Sequence, residues 1–206
     1  MRKEIRWIFF DIGSTLVDET ECYKKRYVEI TVGTDISAQE FESKVIEFAR
    51  QNKKGDHEAA RFYGLVLPKW HGEAERLYPD AERVLAALKA RGFRLGIIAN
   101  QSAGTKERLL KWGILQYFDV IAASAEEGVA KPDVEIFLRA LEKADCPPEK
   151  AVMVGDRLDN DIIPAKALGM KTVWVRQGFA QYAVPRSMKE EPDCTVESIG
   201  DVLGIF

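Results

Sequence analysis

The sequence predicts an α/β protein in which a parallel β-sheet carries helices on both faces and a small helical insertion follows the first strand. The chain opens on an almost unbroken apolar run at residues 5–10, which is typical of a buried parallel strand. From residue 81 onward, short apolar runs alternate with helical patterns, as repeated βα units require. Residues 20–75 show helical patterns and no strand-like run, so they are predicted to form a lobe outside the sheet.

The first strand is predicted to end at Asp11, followed by a Gly-Ser-Thr turn at residues 13–15. A carboxylate at the carboxyl end of a buried strand is costly unless it has a partner there. Ligands of open α/β sheets bind at this edge. Taken alone, Asp11 fits a turn cap and a ligand-binding residue equally well, and the rest of the chain decides between them.

Three helices are predicted in the insertion. The first begins at about Thr20. The second follows a capping box at residues 37–40, and its apolar face comprises Ala38, Phe41, Val45 and Phe48. The third begins at about Asp56 and carries the apolar residues Ala59, Phe62 and Tyr63.

After the insertion, Asp80 is predicted to cap a helix that ends at Gly92. Further strands are predicted at residues 93–99, 118–122, 151–154 and 172–175. Helices are predicted between or after them at residues 106–112, 133–144 and 161–168. A short strand and helix at residues 194–203 complete the prediction. Parallel strands joined in this way bring the loops that follow them to one edge of the sheet.

The composition is that of a soluble globular chain. Of 206 residues, 46% are hydrophobic and 31% are charged, which suffices for one core and a small accessory lobe. The formal charge of −3 argues against a nucleic-acid-binding face, and the basic run at residues 24–26 is predicted to be solvated. No apolar run approaches the roughly 20 residues of a membrane span, and we expect no signal peptide.

The cysteines and histidines indicate neither a disulfide framework nor a metal site. Cys22, Cys146 and Cys194 are odd in number and lack metal-type spacing, so we expect reduced thiols in a cytoplasmic protein. His57 and His71 are not paired at a metal-ligand spacing, and we expect both at the surface. Since nothing indicates an obligate interface, we expect a monomer or a weak homodimer.

Polar residues follow four of the predicted strands. In chain order they are Asp11, Asn100, Lys131, Asp156 and Asp161. Three aspartates brought together repel one another unless a cation lies among them. Ligation by a few carboxylates suits Mg²⁺, which keeps water ligands and accepts phosphate oxygens. With a lysine and the amides of a turn nearby, the site is predicted to bind an anion, most naturally a phosphate.

Four motifs lie at these strand ends. The first is DIGSTL at residues 11–16, and the second is IIAN at residues 97–100. The third is Lys-Pro-Asp-x-x-Ile-Phe at residues 131–137. The fourth combines Gly-Asp, a second Asp and Ala-x-x-x-Gly-Met within residues 155–170. In this order they resemble the motifs of the haloacid dehalogenase-like (HAD) hydrolase superfamily, in the branch whose helical cap follows the first motif. The resemblance covers nearly the whole chain.

The resemblance implies a Rossmann-like, three-layer α/β/α core at residues 1–18 and 76–206, and a helical cap domain at residues 19–75. It implies a Mg²⁺-dependent phosphatase in which Asp11 attacks phosphorus and forms an aspartyl-phosphate. Lys131 would neutralise the charge of nucleophile and phosphate. The cap would close over the site, exclude water and select a small phosphorylated substrate.

The resemblance also implies the ligands at the site. The implied metal ligands are Asp11, the backbone carbonyl of Gly13, Asp156 and Asp161, the last acting directly or by orienting another ligand. The implied phosphate contacts are Ser14, Thr15, Asn100, Gln101 and Lys131. Other acidic residues nearby are given structural roles: Asp133 and Asp159 are expected to be helix caps. Asp18 and Glu19 lie near the hinge of the cap and are expected to be structural and not catalytic.

Two positions depart from the pattern of the family's phosphatases. Those enzymes carry an aspartate two residues after the nucleophile, which protonates the leaving group and later deprotonates water. Here the position is Gly13, and general acid–base help is worth roughly 10²–10⁴-fold. Ala99 replaces a hydroxyl that normally binds the phosphate, a bond worth roughly 1.5–3 kcal/mol. We therefore expect a phosphatase that is weak, or restricted to good leaving groups such as acyl phosphates, aryl phosphates and phosphoanhydrides.

Two alternatives stay open. Phosphonate-cleaving relatives have a small residue at the position of Gly13 and use a cap lysine to form a Schiff base, and this cap contains five candidates. They are Lys24, Lys25, Lys44, Lys53 and Lys54. The chain could instead be a binding or regulatory protein that keeps the fold and the Mg²⁺ site without turnover. Dehalogenase relatives carry a bulky aromatic residue at this position, so Gly13 argues against them.

Overall fold

The computed structural model describes residues 4–206. The strands are β1 (Trp7–Phe10), β2 (Val17–Asp18), β3 (Arg76–Leu77), β4 (Arg94–Ala99), β5 (Val120–Ala123), β6 (Ala151–Gly155), β7 (Lys171–Val175) and β8 (Cys194–Val196). The helices are α1 (Thr20–Thr31), α2 (Ala38–Ala49), α3 (Gly55–Tyr63), α4 (Ala81–Ala90), α5 (Thr105–Lys111), α6 (Ser124–Glu127), α7 (Val134–Lys143) and α8 (Ile163–Ala167).

Six strands form one sheet in the order β5-β4-β1-β6-β7-β8, and all neighbours are parallel. The first strand of the chain thus lies inside the sheet, between β4 and β6. Its four residues are all buried, as the apolar run predicted. The predicted parallel α/β fold is confirmed, and the loops that follow β1, β4, β5 and β6 leave the sheet at the same edge.

Side chains alternate across the sheet and bury its two faces separately. Ile8 and Phe10 point to one face, where Leu85 of α4 packs in the same cluster. Trp7 and Phe9 point to the other face, where Phe137 of α7 packs. Burying one such side chain is worth roughly 1.5–3 kcal/mol. Because side chains alternate along β1, both of its faces are covered and the strand lies in the middle layer. This placement also sets the position of Asp11, which follows the strand.

Helices α1, α2 and α3 form a lobe with a hydrophobic cluster of its own, built on Tyr27, Phe41, Val45 and Ala59. The predicted capping box of α2 is confirmed, since Ser37 accepts from the Glu40 N–H and Glu40 accepts from the Ser37 N–H. The chain enters and leaves the lobe through β2 and β3, which pair antiparallel. The predicted division into domains falls at this pair and stays a prediction.

Some details of the lobe differ from expectation. The basic run at 24–26 is not fully solvated, because Arg26 forms an ion pair with Asp56 (2.8 Å) in which the side chains are 13% and 5% exposed. Phe62 is 60% exposed instead of packed inward, and its ring lies under the ammonium group of Lys44. In both cases a long side chain finds a partner on a neighbouring helix, which the spacing within one helix does not show.

Two of the three aspartates expected to cap helices in the core do not do so. Asp80 does not cap α4, because its carboxylate accepts from the Arg83 guanidinium. Asp133 caps α7 as expected and accepts from the Glu135 N–H at 2.9 Å. Asp159 is not a cap but an ion-pair partner of Arg157, within a π-helical turn at Leu158–Ile162 that precedes α8. Among residues 4–206, none of the helices is long and apolar enough to cross a bilayer.

Asp119 ties the start of β4 to the segment before β5, and its contribution to stability should depend on pH. Burial alone would raise its pKa, but Lys89 (2.9 Å) and the Leu95 N–H (3.1 Å) donate to it and hold its pKa below the usual 3.8. A lowered pKa stabilises the fold above pH 3.8 and stops doing so as pH falls through the folded-state value. Asp119→Asn should therefore cost roughly 1–2 kcal/mol at pH 7.

Urea unfolding of the Asp119→Asn variant and the unchanged protein checks this at pH 7 and at pH values below 3. The difference in free energy of unfolding should shrink as the pH falls, because the carboxyl group of the unchanged protein becomes neutral. A difference of equal size at both ends of the range would show that the stabilisation does not come from the charge of Asp119.

Candidate active site

Asp11 lies at the carboxyl end of β1, as predicted. Its N–H donates to the Val154 carbonyl at 2.9 Å, which continues the pairing of β1 with β6 by one residue. Beyond it the chain turns sharply, because the Ile12 carbonyl accepts from the N–H groups of both Leu16 (2.9 Å) and Val17 (3.0 Å). Ser14 adopts a left-handed backbone at φ 54° within this turn. The Asp11 carboxylate is thus held at the sheet edge by main-chain bonds on both sides.

Lys131 reaches the same place from the loop after β5. Its ammonium Nζ lies 2.6 Å from Asp11 Oδ1 and 2.6 Å from Asp161 Oδ1. The side chain is only 2% exposed, so these contacts are largely shielded from water. The structure therefore confirms that Asp11, Lys131 and Asp161, far apart in sequence, come together.

Asn100 holds the backbone of Lys131 in place. Its side-chain amide donates to the Lys131 carbonyl (2.8 Å), and its Oδ1 accepts from the Lys131 N–H (2.7 Å). The loop after β4 is in this way fastened to the loop after β5. The expected contact of Asn100 with phosphate stays a prediction, and its observed contact with the Lys131 backbone was not predicted from the sequence.

Asp156 and Asp161 follow β6, Asp156 before the π-helical turn and Asp161 within it. Asp161 is fully buried, and its Oδ2 accepts from the Arg157 N–H at 2.9 Å. The glycine of the Gly-Asp motif has a steric reason: a Cβ at Gly155 would overlap the Asp161 carboxylate. A side chain at position 155 would displace Asp161 from Lys131, so this glycine is part of the site.

The three aspartates fit a divalent cation. Asp11, Asp156 and Asp161 each offer one carboxylate oxygen, and these oxygens all lie within 4.8 Å of one another. Asp156 is only 7% exposed, and within residues 4–206 its carboxylate accepts no hydrogen bond. A buried carboxylate without a donor is costly unless a cation binds it. An all-oxygen set of this kind suits Mg²⁺.

The pKa values of the site residues reflect how close these charged groups are to one another. Burial, together with the charges of Asp161 and Asp11, raises the pKa of Asp156 well above its usual value. Burial also raises the pKa of Asp161 to about 6, although Lys131 opposes the rise. For Lys131, burial lowers the pKa, but the two carboxylates outweigh it and raise the pKa above 10.5. The lysine is therefore charged, and the protein groups alone leave the aspartates incompletely compensated.

Of the other three expected phosphate contacts, two have their N–H groups engaged within the protein. The Ser14 N–H donates to the Val17 carbonyl (2.8 Å), and the Gln101 N–H donates to Ser124 Oγ (3.0 Å). The Thr15 hydroxyl is buried and lacks a hydrogen-bond partner in the described chain. Contacts of these three residues to a phosphate therefore stay predictions, and their observed bonds shape the two loops.

Glu19 is a site residue that sequence reasoning missed. It follows β2 directly, and its carboxylate accepts from the Ser14 hydroxyl at 2.9 Å. Burial raises the pKa of Glu19 to about 8, with a further contribution from the nearby charge of Asp11. The position of Glu19 at the entry to the lobe was visible in the sequence, but the direction of its side chain was not.

A cleft opens between the lobe and the sheet edge. Tyr23, Lys54 and Asp56 line it from the lobe, and Asp156 lines it from the core. An adjoining cleft, which shares Tyr23, Lys54 and Asp56 as lining, is also lined by Glu19 and Asn100, with Arg26 and Arg108 at its wall. Through Asp156, the aspartate–lysine cluster therefore borders a cleft that both parts of the chain enclose.

Comparisons with known proteins agree with this geometry. The family model of the haloacid dehalogenase-like hydrolases matches residues 5–169. Glyceraldehyde 3-phosphate phosphatase of Pyrococcus furiosus is 30% identical over 227 residues, covering 99% of this chain and 94% of the relative. The enzyme of the same name from Methanopyrus kandleri is 28% identical over 228 residues, covering 98% and 97%.

A solved structure gives the same result for the fold. The crystal structure of a HAD phosphatase from Thermococcus onnurineus superposes with a TM-score of 0.66 at 26% identity, covering 98% of this chain and 97% of that one. The match to the family model spans the first strand, the lobe, the first three motifs and all but the last residue of the fourth. The chain therefore belongs to the haloacid dehalogenase-like hydrolases.

Proposed function

We propose that this protein is a Mg²⁺-dependent phosphatase that acts on a small phosphorylated metabolite through an aspartyl-phosphate at Asp11. The observation that carries the proposal is the position of Asp11, whose Oδ1 is held by Lys131 at 2.6 Å and whose carboxylate lies close to Asp156, which lines the cleft. Relatives that match over nearly the whole chain are named glyceraldehyde 3-phosphate phosphatases, which supports a phosphorylated substrate. We also propose that the protein is cytoplasmic.

Each site residue has a separate role in the proposed reaction. With one oxygen held by Lys131, Asp11 presents its other oxygen to the phosphorus atom of a substrate in the cleft. Lys131 lowers the repulsion between the carboxylate and the incoming phosphate, because its charge is fixed between Asp11 and Asp161. Mg²⁺ held by the three aspartates would polarise a phosphoryl oxygen as a Lewis acid. The lobe would act as a cap that excludes water from the cleft.

The test is phosphate release from a panel of alkyl, aryl and acyl phosphates, measured with Mg²⁺ and then with EDTA. We expect release with Mg²⁺, its loss in EDTA and its return when Mg²⁺ is added back. Release at the same rate in EDTA would contradict the metal requirement. The restriction to good leaving groups that Gly13 leads us to expect stays a prediction, and the same panel tests it. The restriction applies if no other group supplies the proton.

A second candidate reaction is phosphonate cleavage, which needs a lysine that can reach the substrate. Lys24, Lys25 and Lys44 are occupied by ion pairs with glutamates of the lobe. Lys53 and Lys54, in contrast, line the cleft together with Asp156. Adding a phosphonate with a neighbouring carbonyl to the panel separates the two reactions. If Mg²⁺ binds and no compound is turned over, the binding or regulatory alternative is favoured.

A further inference from the structure

The Glu19 carboxyl group fills the space beside Gly13. A Cβ placed on Gly13 would lie 2.6 Å from Glu19 Oε1 and 3.0 Å from Glu19 Oε2. Both carboxyl oxygens therefore lie where a side chain at position 13 would begin. A larger residue at position 13 would displace the Glu19 carboxyl group from this place.

Glu19 has no structural task that accounts for this position. It precedes α1 directly, but its side chain does not cap that helix. The helix start is served instead by Asp18, whose carboxylate accepts from the Thr20 N–H at 2.9 Å. Within residues 4–206, Glu19 forms no ion pair, although it is half-buried. A carboxyl group placed in this way is costly unless it has a function.

The carboxyl group is oriented and open to the cleft. Ser14 donates to Oε2 (2.9 Å), which fixes the group. Among the described residues, no donor binds Oε1, and Glu19 lines the adjoining cleft alongside Tyr23 and Asn100. One oxygen is thus anchored while the other is available to a molecule bound above Asp11.

We propose that Glu19 is the general acid and base of this enzyme and takes the place of the side chain that Gly13 lacks. This inference rests on the proposed phosphatase function. In the first step Asp11 attacks phosphorus, the bond from phosphorus to the leaving oxygen breaks, and Glu19 gives its proton to that oxygen. In the second step Glu19 takes a proton from water as the water oxygen attacks phosphorus. The bond to Asp11 then breaks, which releases phosphate and restores both carboxyl groups.

With Glu19 as the proton donor, the glycine at position 13 no longer restricts the range of substrates. An enzyme with a proton donor at Glu19 hydrolyses alkyl phosphates as well as phosphates with good leaving groups. The restriction expected from the sequence would then apply to the Glu19→Gln variant instead of the unchanged protein. Glu19 and Gly13 act together. The Glu19 carboxyl group comes from the segment that leads into the lobe, and it occupies the space that a side chain at position 13 would fill.

The test compares Glu19→Gln with the unchanged protein on p-nitrophenyl phosphate and glycerol 3-phosphate. Turnover of the alkyl ester should fall roughly 10²–10⁴-fold. The aryl ester needs no proton to leave, so it should give a burst of nitrophenol, followed by slow turnover. Rapid acid quenching and mass spectrometry should show the phosphoryl group accumulating on Asp11 in the variant, because its release needs the base. Glu21→Gln is the matched control, since Glu21 is 63% exposed and pairs with Lys24 on the same helix.

A second variant keeps the test valid if Glu19→Gln folds poorly. Combining Gly13→Asp with Glu19→Ala returns the carboxyl group to position 13 and frees the space it needs. This double variant should recover at least about a tenth of the alkyl phosphatase activity, whereas Glu19→Ala alone should not. If Glu19→Gln keeps the ratio of alkyl to aryl turnover and accumulates no phosphoenzyme, the Glu19 proposal is wrong while the phosphatase stands. If the unchanged protein hydrolyses neither ester, the proposed function fails first.

Discussion

Replacing Lys131 by methionine is expected to lower the free energy of unfolding at pH 7 by roughly 3–5 kcal/mol. The lysine is 2% exposed, and its ammonium group contacts Asp11 and Asp161 at 2.6 Å each. Methionine fills a similar volume, but it removes the ammonium group that contacts two of the three crowded carboxylates. Urea unfolding without metal measures this loss. Added Mg²⁺ should recover part of it, because the three aspartates fit the same cation.

Turnover of the Lys131→Met variant should fall by roughly 10²–10³-fold even where Mg²⁺ restores its stability. The phosphate would then approach Asp11 without the fixed charge that offsets their repulsion. Lys171→Met is the matched control, because Lys171 makes one ion pair with Asp193 and its side chain is 48% exposed. That change should cost less than about 1 kcal/mol. Equal losses of stability in the two lysine variants would contradict the view that Lys131 holds the carboxylates together.

The sequence predicted the sheet and the convergence of its site residues because these follow from short-range patterns and one topological rule. The apolar run of β1, its Asp11 and the Gly-Asp of β6 are local signals, and parallel strands bring their ends to one edge. The position of Lys131 beside Asp11 followed in the same way. None of these predictions needed the direction of an individual side chain.

What the sequence did not predict depends on side chains that cross between elements. Asn100 fastens the backbone of Lys131, and Arg26 pairs with Asp56 across the lobe. Glu19 fills the space at Gly13 from six positions along the chain, after an intervening turn and strand. Such contacts depend on rotamers and on the packing of neighbouring elements, so spacing within one segment carries no signal of them. The departure at Gly13 was visible, but its compensation was not.

Asp11→Asn is expected to lower turnover by about 10⁴-fold or more, because an amide cannot form the acyl phosphate. No phosphoryl group should appear on the protein after acid quenching. The fold should tolerate the change, since the amide keeps the shape of the side chain and Lys131 retains Asp161 as a partner. Removing one negative charge also relieves the repulsion that raises the pKa of Asp156. The free energy of unfolding without metal should therefore change by less than about 1 kcal/mol.

This separation of activity from stability distinguishes the two roles that Asp11 could have at the end of β1. As a turn cap it would stabilise the fold, so its loss would lower stability and turnover together. As a nucleophile it adds to a crowded set of charges, so its loss removes turnover alone, as expected where a site is arranged for function at the expense of stability. Asp80→Asn is the matched control, because Asp80 pairs with Arg83 at the surface and should leave turnover unchanged. Turnover that survives Asp11→Asn would contradict the nucleophile, and a loss of several kcal/mol with it would favour the turn cap.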